Sequence, residues 1–74
     1  MEEKDILIFK TNIFRESDLH RIRPVLLNES RIKKWHVDTT DIDHVLRIEA
    51  HDLEPTEVIN LVTHTGFYCE ELAD

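Results

Sequence analysis

Residues 32–48, IKKWHVDTTDIDHVLRI, decide the architecture. Ile32, Trp35 and Val37 are apolar with Lys34, His36 and Asp38 among them, the pattern of a strand with one buried face. Val45, Leu46 and Ile48 repeat it, with Arg47 and Glu49 interleaved. The residues between, Thr39 to Asp43, are polar and few. So short a connection joins two strands as an antiparallel hairpin, because a parallel pair needs a crossover of a dozen residues or more.

Working outward, Ile6 to Phe9 is a run of β-formers bounded by Asp5 and Asn12, which suits a central strand. Leu19, Ile22, Val25 and Leu26 then recur at helical spacing. Ser17 or Asp18 is placed to cap that helix, since a short oxygen-bearing side chain accepts from an orphan N–H of the first turn. Pro24 removes one helical hydrogen bond and crowds the carbonyl of His20, so a kink or an early end is expected. Beyond the hairpin, Pro55 fits the first turn of a second helix, with Val58, Leu61 and Val62 on its inner face. Gly66, the only glycine, stands where a helix end needs a left-handed residue. Phe67 to Cys69 open a last short strand.

The predicted elements are strands at 5–11, 32–38, 44–50 and 67–71 and helices at 17–27 and 55–65. Two crossovers enclosing a hairpin give an α+β, ferredoxin-like βαββαβ fold. It has a four-stranded antiparallel sheet of order 4-1-3-2 and both helices on one face. The expected core is Phe9, Ile13, Leu19, Ile22, Leu26, Trp35, Val37, Leu46, Ile48, Val58, Leu61, Val62 and Phe67, with Cys69 a small core residue. The uncovered face should carry Lys34, His36, Asp38 and Arg47 around Ile6 and Ile8.

The chain has 74 residues and a formal net charge of −7. Residues 1–74 are read as one domain, with little core to spare for a substrate cavity. The negative balance argues against nucleic acid and against anionic membrane surfaces, both of which are bound through Lys and Arg. The single cysteine allows no internal disulfide and fits a reducing compartment. Met1-Glu2-Glu3-Lys4 has no basic leader character, and no apolar run approaches the ~20 residues of a membrane span. The expectation is a cytoplasmic protein.

The segment Asn12-Ile13-Phe14-Arg15-Glu16-Ser17-Asp18-Leu19 resembles, in register, the first loop of the heavy-metal-associated domain, which reads G-M-T-C-x-x-C-x-x-x-V-x-x-A-L. Ile13 stands at that family's buried Met, and Val25-Leu26 at the apolar pair that ends its helix. Arg31-Ile32, Trp35 and Val37 look like its second strand, and Thr65-Gly66-Phe67 like the A-G-Y after its second helix. The resemblance spans nearly the whole chain and implies the same fold and a habit of docking a partner through this loop. It departs at the chemistry, because the two metal-binding cysteines fall on Arg15 and Asp18. Two thiolates hold Cu(I), a soft ion; Arg stays protonated and is no ligand, and Asp is a hard oxygen donor.

The positions carried over as a degenerate metal loop and docking site are Arg15, Glu16, Asp18 and Phe67. Asp18 and His64, with Glu16, are the only candidates for a weak divalent site, and no cofactor is expected. His36 and His44, on the hairpin, are placed to approach one another. No G-x-S-x-G, H-E-x-x-H or glycine-rich phosphate loop occurs. The reading is a non-enzymatic interaction module whose partner is a protein or a second copy. The alternative is a metal-handling protein with replaced ligands.

Overall fold

The computed structural model describes residues 4–72, and Asp74 lies outside them. The elements are β1 (Asp5–Thr11), α1 (Glu16–Leu27), β2 (Ile32–Asp38), β3 (Val45–Ala50), α2 (Pro55–His64) and β4 (Cys69–Glu71). The sheet order is β2-β3-β1-β4 with every neighbouring pair antiparallel. This is the predicted ferredoxin-like order.

Side-chain alternation places Phe9, Thr11, Leu46, Ile48, Ala50, Val37 and Cys69 toward the helices, where all are buried. From the helices, Ile22, Leu26, Val58 and Val62 meet them at 0% exposure. Three predicted core residues, Leu19, Trp35 and Leu61, are only half-buried. Leu61 faces a groove between the helices instead. Ala50, which continues the inward alternation of β3, and Leu53, in the corner before α2, complete the core unexpectedly.

α1 runs through Pro24 to Leu27, so the proline does not end it. Its cap differs from expectation. The N-cap residue is Arg15, and Asp18, three residues on, accepts from the Arg15 N–H at 3.1 Å. α2 repeats the device: Glu57 accepts from the N–H of its N-cap, Glu54, at 2.9 Å, with Pro55 in the first turn. Reaching back from the third helical position satisfies an orphan donor as a forward cap does.

Gly66 takes φ +100° and closes α2, with the Phe67 N–H returning to the Val62 carbonyl at 3.3 Å. β4 starts later than predicted, at Cys69. Phe67 and Tyr68 commit their N–H groups elsewhere, Tyr68 to the Asn12 side chain at 2.9 Å. Past the strand, the Leu72 N–H bonds the Ile8 carbonyl at 2.9 Å, so the chain leaves alongside β1, heading back toward Asp5.

At the end away from the first loop, one arginine ties three segments. Arg31 grips Glu29 through Nε at 2.9 Å and Nη2 at 3.1 Å, and Glu57 of α2 at 2.9 Å. It also donates to the Asp52 carbonyl at 3.3 Å. The guanidinium holds the Glu29 carboxyl down to about 2, and Glu57 is lowered by the Glu54 N–H and then by Arg31.

Candidate functional site

The first loop, residues 12–15, lies between β1 and α1 and divides its two apolar side chains. Ile13 points inward and is fully buried; Phe14 points out and is 45% exposed. The anchor is Thr11, a buried polar residue. Its hydroxyl donates to the His44 carbonyl at 2.6 Å and accepts from the Ile13 N–H at 3.1 Å. Asp18 closes the loop from the helix side: one carboxylate oxygen takes the N–H of Arg15 at 3.1 Å and of Phe14 at 3.3 Å. These bonds, the Arg15 one foremost, hold the Asp18 carboxyl below its ordinary value.

Two further segments converge on this corner. The β2–β3 turn brings His44, in the left-handed region at φ 44°, so that its ring stacks on Phe14 with centroids 5.0 Å apart. Arg15 places its guanidinium 4.9 Å from the centre of the same ring. The α2–β4 connection is joined through Tyr68 and Asn12, and by Arg21, which donates to the Thr65 carbonyl at 2.5 Å and lies over the Phe67 ring at 4.7 Å.

Of the residues predicted for the site, Arg15, Glu16 and Asp18 stand together at the start of α1. Phe67 does not join them as a contact residue, because it is 7% exposed. Its neighbour Tyr68 is the exposed one, at 49%, with its hydroxyl on Glu70. His64 sits on the helix layer, bordering the groove of Val25, Asn60, Leu61 and Thr65, with Nδ1 2.9 Å from the Asn60 carbonyl. Among the described residues no three His, Cys, Asp or Glu side chains converge where they could hold a metal ion. His36 is opposite Arg47 rather than near His44. The Phe14–His44 contact was not legible in the sequence: the two residues are thirty positions apart, and the first-loop motif gives Phe14 no partner in the β2–β3 turn.

A two-thiolate site for a soft cation does not fit this chain. Its one cysteine, Cys69, is 8% exposed in β4, and burial pushes its thiol up to about 11, against the thiolate that a metal would need. The arrangement at the first loop is instead a hydrogen-bonded closure with an aromatic ring held outside it.

No family model matches the chain, and no curated protein matches it. Solved structures do. The apo heavy-metal-associated domain of a copper chaperone for superoxide dismutase superposes with a TM-score of 0.80 at 18% identity. The match covers 96% of this chain and 69% of that one. The fold is that of a heavy-metal-associated domain. The copper(I)-loaded first domain of the human copper chaperone for superoxide dismutase agrees at 0.76 and 18% identity, over 95% of this chain and 94% of that one. At such identities the likeness to heavy-metal-associated domains shows the fold alone. No helix among the described residues is long and apolar enough to cross a membrane.

Proposed function

We propose that this chain is a non-enzymatic module of heavy-metal-associated type in which a hydrogen-bonded first loop stands where the metal site would be. It acts by docking a protein partner. The observation that carries this reading is Asp18. The residue at the position of the second metal-binding cysteine, in the register of the resemblance, has its carboxylate engaged with the N–H groups of Phe14 and Arg15. A metal is left only the other oxygen of Asp18, because Oδ2 already holds both donors. Arg15, at the other metal position, brings a positive charge that opposes a cation.

The test is a titration with Cu(I), Zn(II) and Ni(II) under reducing conditions, followed by NMR shifts. The wild-type chain should bind Cu(I) no more tightly than about 1 μM. The Arg15→Cys/Asp18→Cys variant should bind it far more tightly, since two thiolates at this spacing suit a soft ion and the loop geometry is that of the fold. Tight binding by the wild type, with shifts at Glu16, Asp18 and His64, would replace this reading by a metal-handling one with changed ligands.

A further inference from the structure

The exposed large apolar side chains among the described residues are Ile6, Phe14, Leu27, Ile42 and Tyr68. Three of them gather at the first-loop corner. Ile42, 91% exposed, sits in the β2–β3 turn two residues before His44, and His44 stacks on Phe14. Tyr68 flanks them through its N–H bond to Asn12. Phe14 is not a loose side chain. His44 and Arg15 both lie against its ring, the Asp18 carboxylate holds its N–H, and its neighbour Ile13 is locked in the core. An aromatic ring fixed in solvent against a turn that also exposes an aliphatic side chain has the form of an interface anchor, since little freedom is left to lose on binding.

The surroundings select the occupant. The corner and its rim carry Glu16, Asp18, Asp38, Asp41, Asp43 and Glu70 as carboxylates, against Lys10, Arg15 and Arg21 as cations. Lys10 sits 3.6 Å from Asp43 and opposite Glu70 across the strands, while Arg15 lies over Phe14. The local charge is therefore negative around an apolar centre. Resting on the interaction-module reading, we infer that this corner takes a basic, apolar-tipped segment of a partner protein. A bulky side chain packs on Phe14 and Ile42, and flanking Lys or Arg residues face Asp41, Asp43 and Glu70. The charge pattern favours such a segment over a second copy of this acidic chain.

The test uses NMR shift mapping on the full chain with two capped peptides. One places a Leu-Trp pair between lysines and arginines; the other has glutamate at each basic position. The basic peptide should shift Phe14, Ile42, His44 and Tyr68, and its affinity should fall at least tenfold between about 0.05 and 0.5 M salt as screening lengths shorten. Phe14→Ala should weaken binding about tenfold, as loss of an anchor does. Ile42→Ser should do likewise, and at its exposure it leaves the fold intact. Asp41→Asn/Asp43→Asn should reduce the salt dependence.

Equal binding of both peptides, shifts centred on Ile6, Ile8 and Arg47 of the open sheet face, or no shift at millimolar peptide each overturn the inference. So do concentration-dependent shifts at the corner without peptide, which would make a second copy the occupant. None of these results bears on the metal titration, so this inference and the metal-free reading of the loop fail separately.

Discussion

The Asp18 carboxylate sits at the third position of α1 and serves the backbone of the loop before it, bonding the N–H groups of Phe14 and Arg15. The sequence suggested Ser17 or Asp18 as the N-cap itself. Asp18 does provide the capping oxygen, but by reaching back to an arginine that cannot accept a bond, a choice that composition rules do not reveal. Asp18→Asn keeps the shape and one acceptor but removes the charge that strengthens both bonds. The expected cost is about 1 kcal/mol, the size of an ordinary hydrogen bond, because the site is exposed. In a domain this small that lowers Tm by roughly 4–8 °C, readable by circular dichroism. An unchanged Tm would show that the loop closes without the charge of Asp18. The candidate site was legible only in part at this scale: Arg15, Glu16 and Asp18 could be placed from register. Phe14 and His44 could not, because their stacking depends on where a turn thirty residues away comes to rest.

Among the elements, α1 shows how much of the fold could be read from apolar spacing. Ile22 and Leu26, one turn apart on the predicted stripe, are both fully buried, while Leu19 and Val25 flank them half-buried. The helix passes Pro24 because packing of that stripe outweighs one lost hydrogen bond, a tertiary override that local propensity does not contain. Leu26→Ala should cost roughly 2–5 kcal/mol, the range for emptying a fully buried leucine site. Urea unfolding should show it as a large fall in midpoint; a small one would mean that the helix re-seats around the gap. The hairpin was legible because polar turn and apolar strands alternate cleanly there. β4 was misplaced by two residues, since the fates of the Phe67 and Tyr68 N–H groups are decided by α2 and by Asn12. β2 is an edge strand, and its irregular register between Ile32 and Lys34, with Lys33 and Lys34 beside it, guards against pairing with another chain.

At the scale of the whole molecule, the carboxylates whose proton affinity the fold lowers lie at both ends of the domain. Asp18 and Asp38 are near the first-loop end, and Glu29 and Glu57 are on the arginine tie. Asp38 is lowered chiefly by the Thr40 hydroxyl and N–H. A carboxyl with a lower pKa in the folded chain adds its full stability above its ordinary value and loses it as pH falls toward the folded value. For Glu29 that window runs from 4.5 down to about 2. Tm should therefore be nearly flat near neutrality and decline below about pH 4.5. Glu29→Gln should shallow the low-pH part of the decline. A Tm that holds level down to pH 2.5 in the wild type would contradict this assignment. The exit of the chain beside β1 has a different consequence. Asp5 opens β1 at the end remote from Phe14, and past β4 the chain at Leu72 runs beside Ile8 toward that same end. A domain entered and left on one side behaves like a plug on its cord: spliced into a longer polypeptide or hung from a tether, it still turns its first-loop corner outward.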